Sequence, residues 1–251
     1  MARFFSKPHL LYTPETGPHE NYDGISFIPR VYAPINSGTF GIDAVRNDGA
    51  IIPGVWTTGE IAYTSGTWDN ISNTALKLVD SNRYDIYISG SDIDAGKGSF
   101  SCWYRPHYDY NNNNQVTRLI ISGTDFVRIY YDYTEETFYG QLKSGTSPGT
   151  QWDTIQVSGT HQLFVSGTDI HISLTYDNTR GVDLYLSGTL MDSIIGNWTK
   201  ETAPANLSIG NVSGSIISSA EGVIDDIRYY KSQVLTSAEV YKLSLINYGL
   251  N

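Results

Sequence analysis

Several short runs in this chain have residue types and spacings that catalysis or ion binding would use. Gly145-Thr146-Ser147-Pro148-Gly149 has the Gly-x-Ser-x-Gly form, which presents a nucleophilic serine on a turn from strand to helix, with the next amide stabilising an oxyanion. Pro148 has no amide hydrogen and no helical pattern follows it, so this run reads as a surface loop. Gly96-Lys97-Gly98 has the look of a phosphate loop, but Ser91 stands where the first glycine belongs and Gly98 where a Ser or Thr would reach magnesium. Asp92-x-Asp94-x-Gly96 opens with a calcium-loop rhythm, yet Trp103 holds the place of the bidentate Glu that would close the shell. Solvated loop acids are the simpler reading of that run.

His161 and His171 stand close in sequence, but no Cys or third His accompanies them as a zinc shell would need, and His171 is expected on a polar strand face. Cys102, the single cysteine, has no partner for an internal disulfide and lies in an apolar strand, where a thiol packs as a small core residue. Neither a catalytic residue, a cofactor-binding residue nor a metal ligand is assigned. Tyr104, Tyr108, Tyr110, Tyr130, Tyr131, Tyr133 and Tyr139 make the middle of the chain aromatic. They suit a sugar-stacking surface or a protein interface, and they equally suit the core and rim of a sandwich.

The elements that must position these groups are strands. Tyr84, Ile86 and Ile88 alternate with Asp85 and Tyr87, and Ile170, Ile172, Leu174 and Tyr176 alternate with His171, Ser173 and Thr175. Such alternation describes strands with one face buried. Further strands are predicted at 75–79, 99–105, 116–122, 126–133, 152–157, 161–166, 182–186, 206–209 and 223–230. Phe100, Cys102, Ile172, Leu174, Leu184 and Ile227 are expected to face inward. Ser-Gly-Thr recurs at Ser37, Ser65, Ser122, Ser144, Ser158, Ser166 and Ser187, usually where an alternating run ends, which points to shared turn chemistry. Helix is scarce. One is predicted near the C-terminus, where Thr236-Ser237-Ala238-Glu239 forms a capping box and Leu235 and Val240 a hydrophobic staple.

Residues 1–24 contain Pro8, Pro14 and Pro18 and no sustained periodicity, and read as an extended arm ahead of one domain spanning 25–251. Phe4, Phe5, Leu10, Leu11 and Tyr12 are apolar anchors that so short an arm cannot bury by itself. No apolar run long enough for a secretory signal or a membrane span is present, so neither export nor a membrane is expected. The 251 residues carry a net charge of −10, which by long-range electrostatics disfavours nucleic acid and anionic membranes as partners. Charged residues make up only 17%, with 40% hydrophobic, so a folded core is expected instead of disorder.

Four stretches, in order, resemble the laminin-G-like branch of the concanavalin A-like jelly rolls: Ala75 to Asp80 leading into the Tyr84 strand; Gly98 to Pro106, with Trp103, Arg105 and Pro106; His171 to Met191; and Leu207 to Gly210 followed by Glu221 to Tyr230 and Leu235 to Val240. The last is the most specific. The resemblance spans roughly residues 70 to 245, with a first strand in 25 to 60. Where the family usually has Asn-Gly after the Leu-Tyr strand, this chain has Ser187-Gly188, and either makes a tight hairpin. The resemblance implies an all-β jelly-roll sandwich of two antiparallel sheets with one short C-terminal helix. It also leaves open a calcium site at the rim using Asp92, Asp94 or Asp177.

Related β-glucan hydrolases carry a Glu-x-Asp-x-x-Glu strand, whose alternate carboxylates share one face; no such run occurs here. Asp225 and Asp226 are neighbours on opposite faces, and similar acids in the family look structural. A protein without enzymatic activity is therefore expected. The resemblance points first to a structural or adhesion module of a viral particle, such as a phage head decoration, fibre or tail protein, docked to other virion subunits through the arm. The alternative is a carbohydrate-binding lectin-like domain of a cell-surface or secreted protein. Glycans are a ligand class common to both, and a homo-oligomer is expected.

Overall fold

The alternation read from the sequence becomes strand along most of the chain. The computed structural model describes residues 25–31, 42–46, 51–58, 62–64, 75–78, 83–87, 93–109, 117–123, 126–144, 153–160, 164–197, 206–210 and 220–245. Strands in chain order are β1 (Ile25–Val31), β2 (Ile42–Arg46), β3 (Ile51–Thr58), β4 (Ala62–Thr64), β5 (Ala75–Leu78), β6 (Arg83–Tyr87), β7 (Lys97–Pro106) and β8 (Thr117–Gly123). They continue as β9 (Val127–Asp132), β10 (Thr137–Ser144), β11 (Asp153–Thr160), β12 (Ile170–Asp177), β13 (Gly181–Leu186), β14 (Thr189–Ile195), β15 (Asn206–Ile209) and β16 (Gly222–Lys231), followed by helix α1 (Ser237–Leu245).

The strands pair antiparallel in two sheets. The front sheet runs β2-β1-β16-β7-β12-β13-β14, with β5 and β4 beside the start of β16; the back sheet runs β11-β10-β9-β8-β15-β6-β3. β3 changes sheet along its length, pairing with β2 through Ile51 to Pro53 and with β6 from Gly54 onward.

The inward residues of both sheets form one core. Phe100, Cys102, Ile172, Leu174, Leu184 and Ile227 all belong to it and are at most 2% exposed, as the alternation predicts. Close approach of the sheets depends on glycine at two inward positions of the back sheet. A Cβ on Gly140 would lie 2.4 Å from Leu174 Cδ1, and one on Gly159 2.7 Å from Leu186 Cδ1. Ser158-Gly159-Thr160 is thus strand, not turn, while Ser187-Gly188 does turn the chain between β13 and β14, with φ of +47° and +80° suited to a two-residue hairpin.

Two sequence expectations are corrected. β12 is buried on both faces, not one: His171, Ser173 and Thr175 are each at most 1% exposed. The strand predicted at 161–166 is not formed by its described part, since 164–169 is a loop. Its Phe164 plugs an aromatic cluster, with its ring stacked on Tyr131 at 3.9 Å between centroids and further contacts to Tyr104, Tyr133 and Phe138. Pro106 O and Asp109 Oδ1 accept the amides of Gly167 and Ser166, holding this loop against the end of β7.

Helix α1 begins at the predicted capping box. Glu239 Oε2 accepts from the Thr236 amide at 2.7 Å, and Thr236 Oγ1 accepts from the Glu239 amide at 3.4 Å. Val240 and Leu243 bury against Tyr185, Tyr230 and Leu235 on the outer face of the front sheet. At about 1.5–3 kcal/mol for each fully buried aliphatic side chain, this contact outweighs what so short a helix gains from propensity alone.

The expected arm at 1–24, with its five apolar anchors, lies outside the described residues. So do Asp92, Tyr110, His161 and the Gly145 to Gly149 run, and the side chains of Asp225 and Asp226.

Candidate functional site

His171 is brought close to a hydroxyl that its sequence position did not suggest. Pairing of β7 with β12 sets His171 opposite Trp103, two residues along β7 from Ser101, and His171 Nε2 and Ser101 Oγ share a hydrogen bond of 2.8 Å. The Trp103 ring meets the imidazole edge-on at 5.1 Å. A serine–histidine pair at this distance invites comparison with a nucleophile and its base. Its surroundings argue against that. Burial, with the Arg228 guanidinium nearby, lowers the His171 pKa to about 3, so the ring cannot hold a serine's proton near neutrality. His171 Nδ1 has no hydrogen-bond partner among the described residues, where a triad would place an orienting acid. Ser101 itself is 2% exposed, and the pair serves to tie β7 to β12.

Asp94 and Asp177 do meet, at one rim of the sandwich, in an open cleft of about 330 Å³ lined also by Gly96, Lys97, Asn178 and Thr179. Three of their four carboxylate oxygens accept hydrogen bonds from the protein. Asp94 Oδ1 accepts from the Gly96 amide and Oδ2 from Ser232 Oγ, while Asp177 Oδ1 accepts from the amide and hydroxyl of Thr179. The Thr179 hydroxyl bond is the main reason the Asp177 carboxyl is held below its ordinary value. Lys97 already puts a cation in the cleft, and among the described residues no group of three potential ligands comes together to hold a metal. Gly98 of the Gly-Lys-Gly run has a steric role: a Cβ there would sit 2.7 Å from Tyr176 Oη and 2.8 Å from Tyr229 Oη.

The structure sorts the tyrosines into different environments. Tyr104 and Tyr131 are fully buried and Tyr133 nearly so, all in the core, whereas Tyr108 is 37% exposed at the rim. Tyr130 and Tyr139 sit on the outer face of the back sheet, because they alternate with Ile129, Tyr131, Phe138 and Gly140, whose side the core occupies. They are direct cross-strand partners, with ring centroids 5.2 Å apart and planes inclined by 33°. The neighbouring row holds Arg128, Gln141 and Gln156. Gln141 Nε2 donates to Tyr130 Oη and to Gln156 Oε1, both at 2.6 Å.

At the other end of the face, Asp132 and Thr137 close the hairpin. Asp132 Oδ1 caps the turn by accepting from the Thr134 and Glu135 amides, and Glu135 Oε2 accepts from the Tyr139 hydroxyl. Burial and then the Glu135 bond raise the Tyr139 pKa to about 12; burial and then Asp132 raise that of Tyr130 further. Both hydroxyls are therefore protonated at neutral pH. Tyr139 is only 8% exposed and backs the half-buried Tyr130, so Tyr130, flanked by amide and carboxylate groups, supplies the apolar ring surface beside alternating donors and acceptors, which is the chemistry a sugar presents in complement. Sequence reasoning saw the tyrosines but not this grouping. The missing signal was strand β10, whose central Gly140 reads as a breaker.

This fold matches a known group. Residues 80–241, more than half of the chain, match the family model Laminin_G_3, described as the concanavalin A-like lectin/glucanases superfamily, and the chain belongs to that family. No curated protein matches it. Among solved structures it is similar to the botulinum neurotoxin serotype D binding domain, with TM-score 0.63, 13% identity, and coverage of 88% of this chain and 51% of the other. It is similar also to the binding domain of Paraclostridial Mosquitocidal Protein 1, with TM-score 0.62, 13% identity, and coverage of 88% and 52%. A third is the binding domain of botulinum neurotoxin DC in complex with SialylT, with TM-score 0.63, 12% identity, and coverage of 87% and 50%. The chain spans about half the length of these neighbours, and at such identities the likeness is one of fold.

Proposed function

We propose that this chain is a binding module without catalytic activity, folded as one domain over 25–251, that takes carbohydrate on the Tyr130–Tyr139 face of its back sheet. The supporting observation is the cross-strand tyrosine pair with Gln141 bonded between Tyr130 and Gln156. The neighbours are described as binding domains, one of them in complex with SialylT, which agrees with a lectin-like role. A glycan array read with the full chain and with Tyr130→Ala tests the proposal. Binding to a defined set of sugars, reduced at least tenfold by the substitution, is expected; an array on which the full chain binds nothing overturns it. Incubation with laminarin, agar or carrageenan should release no reducing ends, and turnover by pure protein that a single Glu-to-Gln change abolishes would refute the non-catalytic reading.

A second reading concerns the setting: a viral particle, with residues 1–24 docked on a partner subunit. Its support is the cluster of Phe4, Phe5, Leu10, Leu11 and Tyr12, which association can bury. Under this reading, deleting residues 2–20 leaves the melting temperature unchanged and abolishes co-sedimentation with particles. A large fall in melting temperature with attachment intact counts against it.

A further inference from the structure

The charges around the tyrosine pair narrow the class of sugar it can take. Asp132 and Glu135, at the end of β9 and in the turn that follows, act on both tyrosine hydroxyls, and Glu136 is the next residue of that turn. Asp132 shares the outer face with Tyr130 two residues away, and Glu135 bonds the Tyr139 hydroxyl directly. Cations sit at the opposite end of the rows. Arg128 lies across from Gln141, and Lys143 is only 7% exposed; Arg128, Lys143 and Asp132 each have further interactions. The chain as a whole adds to this field with its net charge of −10.

We infer that the Tyr130–Tyr139 face selects uncharged glycans and rejects those bearing sialic acid, uronic acid or sulfate. This rests on the carbohydrate-binding reading above. Carboxylates accept hydrogen bonds from sugar hydroxyls, so a neutral chain lying across Tyr130 is served by Glu135, Gln141 and Gln156 together. An anionic sugar in the same place would set like charges side by side, and discrimination of this kind comes from repulsion as much as from attraction. The field at the Tyr130 hydroxyl agrees: Asp132 and Glu135 both outweigh Arg128 there. The outcome contrasts with the neighbour held in complex with SialylT, which shares the fold at 12% identity.

The test is a pair of titrations of the full chain with lacto-N-neotetraose and with its α2,6-sialylated form, at low and at high salt, supported by laminarihexaose and a sulfated laminarin of similar length. The neutral member of each pair should bind at least about tenfold tighter at low salt, and the difference should shrink in 0.5 M NaCl, where screening acts within about 4 Å. Glu135→Gln with Glu136→Gln, which keep the side-chain shape and remove two charges from the turn, should narrow the ratio at least threefold. Sialylated or sulfated sugars binding as tightly as their neutral counterparts, with binding still lost in Tyr130→Ala, would overturn the selectivity and leave the site standing. A ratio unchanged in the double variant would overturn it as well. Absence of binding to either class would bring down the carbohydrate reading itself, and this inference with it.

Discussion

The hydroxyls of Tyr176 and Tyr229 lie 2.9 Å apart, across strands that both neighbour β7, directly over the space left by Gly98. Tyr176 Oη also donates to the Asp94 carbonyl at 2.6 Å, and Tyr229 Oη accepts from the Asp94 amide at 2.9 Å. Two residues from distant parts of the chain thereby fix the backbone of the loop that carries Asp94. Tyr229→Phe leaves that amide without its acceptor and should cost about 1–2 kcal/mol. Urea unfolding should show a lower midpoint at unchanged slope, and an unaltered midpoint would mean that the loop is held by other contacts.

At Gly140 the back sheet packs directly against Leu174 of the front sheet. Gly140→Ala would push a methyl into Leu174, and overpacking of this kind costs about 1–3 kcal/mol. Leu174→Ala on its own opens a cavity at a cost of about 2–5 kcal/mol. Combined, the two changes should be less destabilising than their sum, because the alanine methyl fills part of the cavity. Strict additivity would show that the sheets shift apart instead.

Acid should weaken the fold through His171. In the unfolded chain a histidine titrates near 6.5, while in the folded protein burial lowers it to about 3. Between those values the unfolded chain binds the proton that the folded chain refuses, so stability is complete above pH 6.5 and falls as the pH drops toward 3. At pH 4.5 the loss from this one group is on the order of 2–3 kcal/mol. The melting temperature of His171→Gln should depend less on pH over 4.5 to 7 than that of the unmodified protein; parallel curves would refute the assignment.

The capping box of α1 gives a smaller, local effect. Thr236→Ala removes the acceptor for the Glu239 amide and should destabilise by about 0.5–2 kcal/mol. Thr236→Ser should restore most of it. Hydrogen exchange at Val240 to Leu245 reads the effect directly, with faster exchange expected in the alanine variant only.

Local rules in the chain already determine much of this architecture. The alternation through Ile170 to Tyr176 names the inward face of β12, Ser187-Gly188 specifies a tight hairpin, and the Thr236 to Glu239 spacing starts a helix where one is found. Each depends on neighbours within a few residues, and such information is fully present in a linear string. Other strands escaped it: β1 to β3 were covered only by one strand expected in 25 to 60, and β4, β10 and β14 were missed outright. β10 has Gly140 at its centre, and β14 has a bulge between Asp192 and Leu190 and a mostly exposed side-chain pattern, so neither shows a clean period.

What only the tertiary structure decided is what lies beyond each strand face. Periodicity says that His171, Ser173 and Thr175 share a side; it cannot say that this side is buried too, because burial depends on distant segments. For the same reason it could not divide the six described tyrosines of this stretch into core, rim and outer face, nor bring Tyr130 beside Tyr139 and Gln141. Side-chain type and spacing set which surfaces a strand offers, and only the pairing register and the packing of the second sheet settle which of them meet.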